Sequence, residues 1–408
     1  MTKLFNRVKV NTATAGTGTI TLGSAYSNAF CTFAEAGVAN ADVVAYVIED
    51  GTDFEVGIGT YTSAGTTLSR DTVRLSKIAG TAGTTKLTLS GSAVVHLDAA
   101  KEDLFNLQPP QGRLTLVSTT PIMTTSQSAK TTVYYTPYVG RCAPLYDGSA
   151  FLMVDVGGEL SQTTADTTKS PAAVSASSLY DIFIWNDAGT YRATRGPAWS
   201  SATTRGTGAG TSELVMISGI YLNANAITNG PTAQRGTYVG TILSNGSSQI
   251  DYIFGANGAG GTEAWFGIWN MYNRVVVATI IGDTTDNWTY GTSTWRAANA
   301  SNLMRATMVR GLNEDGVSAT YGCLVSTSAS DYAAIGIGLD STTSFSGFSG
   351  ATGATGGILD VTAGFGGLPG LGSHYLQAVE YRVSGTITFF GDNGGTWVQN
   401  GLSVQLRL

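Results

Sequence analysis

The longest dense block of aromatic and β-branched residues runs from Glu263 to Ile281 and reads EAWFGIWNMYNRVVVATII. Trp, Phe, Tyr and Val at this density fit a pleated, half-buried surface better than a helix. The segment from Asn270 to Arg274 divides the block, so we expect two strands with a bend between them. A Gly-rich stretch (255–261) precedes the block and a polar turn (282–287) follows it. The pattern predicts the central hairpin of a large antiparallel β domain.

Short alternating segments with turn signals between them recur on both sides of this block. Asp50-Gly51 and Asn245-Gly246 each separate two such segments, which is a strong hairpin signal. Many short strands with regular turns predict an all-β fold, with a larger antiparallel β-sandwich or jelly-roll-like region toward the C-terminus. Phe345 to Gly372 holds a large share of the glycines, and we expect a long loop there.

Prolines mark the clearest domain boundary. Pro109 and Pro110 lie in the segment 107–112, where they stop a helix and stiffen an extended connection. The preceding segment, Asp98 to Asn106 (DAAKEDLFN), is the best helix candidate, with Asp98 as its N-cap. We therefore predict an N-terminal β-rich domain (1–106), a Pro-rich hinge (107–112), a β connecting domain (113–178) and a C-terminal antiparallel β-sandwich domain (179–408).

The composition is unusually neutral. Charged residues make up 12% of the 408 residues and the formal net charge is −6, whereas globular proteins average about a quarter charged. A surface of hydroxyls and amides can be buried against other copies of the chain at a small desolvation cost. The lack of a Lys/Arg cluster excludes a nucleic-acid partner held by phosphate contacts. No stretch approaches the roughly 20 apolar residues of a membrane helix, and no secretory signal is visible, so we expect assembly in a cytoplasm without membrane insertion.

The three cysteines, Cys31, Cys142 and Cys323, are widely spaced. No CxxC or Cys/His pairing is present, which argues against a structural zinc site. An odd number also argues against a closed intrachain disulfide framework. Free buried thiols are the favoured interpretation, and disulfides between subunits are the alternative.

The sequence offers little catalytic machinery. Only His96 and His374 are present, and no nucleophile elbow, phosphate-binding loop or HExxH motif occurs. We therefore expect no catalytic residues, no cofactor and no metal. The segments 282–287 (GDTTDN) and 313–316 (NEDG) carry oxygens suited to Ca²⁺, but a plain turn is favoured at both. Glycoside hydrolysis needs only two carboxylates, and the candidates for such a pair are Glu213, Glu263, Asp283, Asp286, Glu314, Asp315 and Glu380.

Several of the seven tryptophans lie near predicted turns, where an exposed ring can stack on a saccharide. We retain Trp288, Trp295 and Trp397 as candidate saccharide-stacking residues. Core packing, or burial at a subunit interface, is the alternative interpretation of the same three residues.

The sequence also resembles virion structural proteins of tailed bacteriophages and prophages. Three N-terminal segments carry this resemblance: Asn6 to Leu22 (NRVKVNTATAGTGTITL), Val47 to Thr62 (VIEDGTDFEVGIGTYT) and Ser90 to Asp103 (SGSAVVHLDAAKED). Three later segments are similar to a larger group of such proteins: Tyr134 to Leu145 (YYTPYVGRCAPL), Leu179 to Trp199 (LYDIFIWNDAGTYRATRGPAW) and Trp269 to Arg274 (WNMYNR).

The resemblance implies a structural component of a virion rather than an enzyme. Proteins of this kind are fibres, spikes or appendages, usually homotrimers, with a docked N-terminal part and a projecting β-rich C-terminal part. It implies that residues 1–106 contact other virion proteins of the head, neck or tail, and that the C-terminal part meets a host-surface polysaccharide. Two alternatives stay open: a virion-associated polysaccharide depolymerase, and a capsid or neck decoration protein without host contact.

Overall fold

The computed structural model describes residues 3–98, 107–256, 261–352 and 356–408. The chain divides into two compact units, Met1–Asn106 and Leu107–Leu408. The described residues form strands and turns, with single 3₁₀ turns at Ser63–Gly65 and Ala298–Ala300. The predicted all-β fold class is thus confirmed. The predicted helix at 98–106 lies outside the described residues, apart from Asp98.

Ten strands build the described part of the N-terminal unit. Eight of them form one sheet in the order β1-β10-β4-β5-β6-β3, with β7 beside β5 and β8 beside β7, and β2 pairs with β9. The hairpin predicted at Asp50-Gly51 is present, because β4 and β5 pair up to Asp50 and Asp53 and Gly51 takes a φ of +65°. The strands are β1 Lys9–Asn11, β2 Ala15–Gly16, β3 Ile20–Thr21, β4 Val43–Asp50, β5 Asp53–Thr62, β6 Thr67–Leu68, β7 Thr72–Ile78, β8 Thr81–Gly83, β9 Leu89–Ser90 and β10 Val94–Leu97.

A buried ion pair lies inside this unit. Glu55 and Arg70 have fully buried side chains and bond to each other through two guanidinium nitrogens. Tyr46 donates its hydroxyl to Glu55 at 2.7 Å, and the backbone N–H of Leu87 donates at 2.6 Å. Burial alone would raise the pKa of Glu55, but the bonds from Arg70, Leu87 and Tyr46 outweigh it and hold the pKa below its ordinary value.

Twenty-five further strands build the described part of the C-terminal unit. They are β11 Gly112–Thr115, β12 Gln127–Lys130, β13 Thr132–Pro137, β14 Cys142–Tyr146, β15 Phe151–Asp155, β16 Leu160–Thr163, β17 Leu179–Asp187, β18 Thr190–Ala198, β19 Leu214–Ile217, β20 Ile220–Asn223, β21 Thr237–Leu243, β22 Ile250–Ile253, β23 Ala264–Phe266, β24 Ile268–Asn270, β25 Val276–Ile281, β26 Asn287–Tyr290, β27 Arg296–Ala297, β28 Arg305–Arg310, β29 Val317–Thr327, β30 Ala333–Leu339, β31 Ser346–Ala351, β32 Gly357–Gly367, β33 Gly372–Arg382, β34 Ile387–Phe390 and β35 Asn400–Arg407.

Fourteen of these strands form one sheet that folds back on itself. We name its first part the front sheet (β12-β22-β23-β28-β33-β30-β31, with β27 beside β33) and its second part the back sheet (β32-β29-β34-β26, with β35 beside β29 and β25 beside β35). A single pair, Phe348 with Gly364, joins them. The two parts face each other, since Trp288 of the back sheet donates to Glu380 of the front sheet at 2.8 Å. This is a β-sandwich built from one curled sheet.

A six-stranded sheet (β18-β17-β21-β20-β19, with β24 beside β21), the three-stranded sheet β11-β13-β16 and the β14–β15 hairpin complete the unit. Residues 113–178 and 179–408, which the sequence analysis treats as separate domains, share one hydrophobic core. Within the predicted hinge, Gln111 donates its N–H to Cys142, and Pro110 accepts a bond from Asn273. These hinge residues are therefore held against the C-terminal unit.

The predicted hairpin at Glu263 to Ile281 is wrong in its pairing. The block forms three strands, and β23, β24 and β25 enter the front, six-stranded and back sheets respectively. The chain changes sheet at Gly267, where a Cβ would lie 2.6 Å from the carbonyl oxygen of Asp251. Only glycine permits that approach. The density of aromatic and β-branched residues indicated strands, but these strands pair with segments that lie far away in the sequence.

The predicted loop at Phe345 to Gly372 is also wrong. Its described residues include β31, β32 and the start of β33, and β32 pairs with β29 over eleven residues. Glycines here allow close packing rather than flexibility. At Gly364 a Cβ would lie 2.2 Å from the ring of Phe348, so the ring occupies space that any other residue would fill.

We predict that Glu55→Gln destabilises the protein by about 3 kcal/mol at pH 7, because it leaves Arg70 buried without its counter-ion. A pKa depressed by folding contributes stability above the unfolded value near 4.5, and that stability is lost as the pH falls below it. The difference in unfolding free energy between wild type and Glu55→Gln should therefore become smaller at acidic pH. Urea unfolding between pH 3 and pH 7 measures this. Glu49→Gln, the same change at an exposed site, is the control and should shift stability by less than about 0.5 kcal/mol.

Candidate ligand-binding surface

An aromatic cluster lies on the outer face of the front sheet. Trp295 packs against Phe345 at 5.0 Å and against Tyr381 at 5.2 Å between ring centroids. Gly336 lies beneath them, where a Cβ would be 2.6 Å from Phe345 and 3.4 Å from the Trp295 ring. Phe345 is 40% exposed, and the other two rings are half-buried. We call Trp295, Phe345 and Tyr381 the aromatic patch.

The backbone pairing beneath the patch explains its position. Arg296 pairs with Glu380 in the β27–β33 ladder, and these side chains point into the sandwich. Because neighbouring residues of a strand point to opposite faces, Trp295 and Tyr381 emerge together on the outer face. Trp295-Arg296 and Glu380-Tyr381 therefore form an ion pair on the inner face of the sheet and an aromatic contact on its outer face.

Glu380 is fully buried and accepts three bonds. Arg296 donates from Nε at 2.7 Å and Nη2 at 2.6 Å, and the Trp288 indole donates at 2.8 Å. Burial raises the pKa of Glu380 against the opposing effects of Trp288 and Arg296. The arrangement holds Arg296, and with it the neighbouring Trp295, in one position.

Trp288 is therefore not an exposed stacking residue. Its side chain is enclosed, and its ring stacks on Phe389 at 6.0 Å with an interplanar angle of 13°. Trp288 was predicted to lie near a turn with an exposed ring, whereas it lies in β26 and faces the sandwich interior. Trp397 is 53% exposed and lies in the connection between β34 and β35. Of the three candidates, Trp295 is the one that is both partly exposed and packed against other aromatic rings.

A polar pocket opens near the edge of the front sheet. Its volume is about 360 Å³, and it is lined by Gly261, Thr262, Glu263, Ser301, Asn302 and Leu303. Burial raises the pKa of Glu263, and the nearby guanidinium of Arg305 opposes this effect. Of the described residues that line the pocket, Glu263 is the only carboxylate. We call this the polar pocket.

Arg305 connects the polar pocket to the strands behind it. Its Nη2 donates to Asn302 at 2.8 Å, and its Nε donates to Gln377 at 3.0 Å. The guanidinium also lies 4.1 Å from the ring centroid of Tyr375. These contacts fix a cation and a half-exposed aromatic ring beside the pocket.

The polar pocket and the aromatic patch share one face of β33. Tyr375, Gln377 and Tyr381 are separated by even numbers of residues in a strand with continuous register, so they point to the same side. Gln377 and Tyr381 lie about 13 Å apart at roughly 3.3 Å per residue. Gln377 itself is fully buried and bonds to Arg305 and to three backbone carbonyls, so at this end it is Arg305 and the pocket lining that can meet a ligand, while the rings lie at the other end.

The sequence analysis did not single out the partners of Trp295. Phe345 lies in the segment that was predicted to be a loop, and no role was predicted for Arg305, Tyr375 or Tyr381. The alternation of Tyr375, Gln377 and Tyr381 was the available signal. It could not be used, because an alternating pattern does not say which of its two faces is covered by another sheet.

The two histidines lie in different units of the chain. His374 is bound on both ring nitrogens, by Asp340 at 2.7 Å and by the Leu371 carbonyl at 3.2 Å. His96 pairs with Lys9 and Val47 in the N-terminal sheet, and burial lowers its pKa. Both positions are explained by packing and backbone support.

The other candidate carboxylates and the two possible Ca²⁺ segments make local bonds. Asp283 accepts from Asn299 and from the Thr285 N–H at 2.9 Å, while Arg274 contacts both Glu314 and Asp315. Within the described ranges, no group of three or more His, Cys, Asp and Glu is arranged to hold a metal ion. Residues 285–286 form a bend and residues 313–314 form a turn.

Two further observations concern the cysteines and the search for a membrane-spanning helix. Cys323 is buried, and burial raises the pKa of its thiol to about 12, while Cys31 and Cys142 are half-buried and free. Among the residues that the structure describes, no helix has the length and apolar character needed to cross a membrane.

The comparisons with known proteins provide no relative. No family model and no curated protein matches the sequence. Two solved structures of the exo-β-1,3-galactanase from Phanerochaete chrysosporium, one with β-1,3-galactotriose and one with galactose, align over 98% of this chain and 100% of the galactanase. Their identity is 11% and their TM-score is 0.12, which is too low to support an argument about fold or function.

We predict that Glu263→Gln stabilises the protein at pH 7. A carboxyl whose pKa is raised by burial binds its proton more tightly when folded, so ionisation at neutral pH opposes folding and the amide removes that cost. The advantage should shrink as the pH falls through the folded-state pKa and should vanish below the ordinary value of 4.5, because wild type is then protonated in both states. Thermal unfolding across this range measures the effect, with Glu49→Gln as control. A variant less stable than wild type at pH 7 would contradict the prediction.

Proposed function

We propose that this chain is an appendage protein of a tailed-phage particle that binds a host-surface saccharide. The observation that carries the binding role is the outer face of the front sheet, where Tyr381 of the aromatic patch and Gln377, which bonds to Arg305 beside the polar pocket, lie about 13 Å apart along β33. Exposed rings can stack on the apolar face of a sugar, while amide, carboxylate and guanidinium groups bond to its hydroxyls. An extended oligosaccharide fits this spacing better than a single small molecule.

The composition supports presentation rather than chemistry. Hydroxyl and amide groups dominate a surface with few charges, and they can form many neutral hydrogen bonds to a saccharide. The two-unit organisation and the resemblance of the N-terminal segments support mounting through residues 1–106 on other virion proteins. We include the homotrimer in this proposal, since three copies around an axis would cover neutral faces and sheet edges.

The depolymerase alternative requires a second carboxylate opposite Glu263. The described lining of the polar pocket provides one acid, which favours binding over cleavage. Release of reducing ends from host polysaccharide, lost in Glu263→Gln, would instead support the enzyme. The decoration alternative predicts that particles lacking this chain adsorb normally but lose resistance to heat or osmotic shock.

We predict that Trp295→Ala weakens saccharide binding by about tenfold or more, because a central aromatic contact commonly contributes over 1 kcal/mol. An array of bacterial surface oligosaccharides first identifies a ligand for the wild type, and titration calorimetry then measures the loss. Trp397→Ala removes another exposed indole outside the aromatic patch and should bind as wild type. Equal losses in both variants, or in neither, would contradict this site.

We predict that purified particles contain the chain in a multiple of three copies. Cross-linking mass spectrometry on such particles should connect residues 3–98 to other virion proteins, and sedimentation of the purified chain should give a trimer. A chain that is monomeric in solution and absent from particles would overturn the appendage proposal. That outcome would leave the saccharide site untouched, and the Trp295→Ala experiment alone would then test it.

A further inference from the structure

Strand β25 forms one edge of the back sheet and has one paired side. Val275 and Leu408 exchange backbone hydrogen bonds at 2.8 and 3.0 Å. Hydrogen-bonded and non-hydrogen-bonded pairs alternate in an antiparallel ladder, and the register continues through Val276 with Arg407. The backbone N–H and C=O groups of Val276, Ala278 and Ile280 therefore point away from β35.

No backbone partner for these six groups occurs among the described residues. The next outward N–H, that of Gly282, is bonded to the Ala256 carbonyl at 3.0 Å, so the free edge ends there. Natural edge strands are protected by charges, prolines or bulges. This one has none: it reads VVATII, and Val276 and Ile280 are 57% and 51% exposed.

A cavity of about 220 Å³ lies directly beside the free edge. Val275 to Ala278 line one side, Ile122 to Thr124 line another, and Tyr252, Phe254 and Ile268 contribute apolar surface. The main polar side chains on the wall already have partners in the chain, since Asn270 bonds to both backbone groups of Leu114 and Arg113 bonds to three carbonyls. The cavity therefore suits an apolar side chain.

We propose that β25 is a strand-addition site for an extended segment of a partner protein. The segment pairs with the free groups of Val276, Ala278 and Ile280 and places an apolar side chain in the cavity. Main-chain bonds supply affinity and alternate side chains supply specificity in this mode of recognition. Three donors and three acceptors in one line match the backbone of a peptide and no compact small molecule.

The occupant is a single segment from a different protein rather than a second copy. The cavity is lined on a second side by Ile122 to Thr124, which leaves a groove rather than an open sheet edge. In addition, every strand of the described chain is already paired within the chain. A second copy would therefore offer the edge of a whole sheet, for example β12, β18, β26 or its own β25, rather than a single extended segment.

The test uses the full chain and fluorescent eight-residue peptides, capped at both ends, that alternate threonine with valine, leucine or phenylalanine. Ala278→Pro removes one outward N–H, and because that N–H takes no part in the β25–β35 ladder, the fold should be retained. Ala278→Thr keeps the N–H and is the matched control. Peptides methylated on alternate backbone nitrogens are the matched control on the ligand side.

We expect at least one peptide to bind the wild type and Ala278→Thr equally by fluorescence anisotropy. Ala278→Pro and backbone methylation should each weaken binding about tenfold or more, since both remove main-chain bonds and add bulk at the edge. Three outcomes would overturn the proposal: no peptide binds, methylated peptides bind equally well, or sedimentation shows self-association that Ala278→Pro abolishes. The last would assign the edge to a second copy.

Discussion

The Glu380–Arg296 pair connects the inside of the sandwich to its outer surface. Both side chains lie between the sheets, where a lone charge would be costly and a bonded pair is tolerated. The Trp288 indole completes the bonding of the carboxylate from the opposite sheet. This contact joins the front and back sheets and also fixes the chain that carries Trp295. The position of the aromatic patch thus depends on an interaction that a ligand would never touch.

Similar buried pairs recur in this chain of few charges. Glu55 with Arg70 lies in the N-terminal unit, and Asp181 with Arg205 lies beside the six-stranded sheet, where Nε and Oδ2 are 2.6 Å apart. Each pair also bonds to a tyrosine hydroxyl, from Tyr46 in the first and Tyr238 in the second. Removing one partner would leave the other charge buried and unpaired. Each pair therefore favours the one arrangement of β-strands that keeps both partners in contact. These three pairs therefore specify internal packing, while most of the other charged residues are exposed or half-buried.

The outer surfaces follow from the same distribution. The exposed faces combine hydroxyls, amides, glycines and scattered apolar side chains with the charged residues that lie outside these pairs. The front face gathers rings and hydrogen-bonding groups, which suits a polar ligand with apolar faces such as a saccharide. The free edge of β25 offers backbone groups, which suit an extended peptide. The two surfaces differ in the kind of atom they present, so they call for different partners.

The sequence by itself determined the features that depend on neighbouring residues. The all-β class follows from short alternating segments, and the hairpin at Asp50-Gly51 follows from a turn that glycine makes without strain. It did not determine which strands pair at a distance: Glu263 to Ile281 enters three sheets, and Phe345 to Gly372 forms strands because Gly364 leaves room for Phe348. Nor did it separate Trp288 from Trp295, which lie seven residues apart near similar turns. Only the tertiary structure decided that one indole is enclosed and the other joins a surface cluster, because exposure depends on which sheet covers each face, and that is set by contacts between residues remote in the chain.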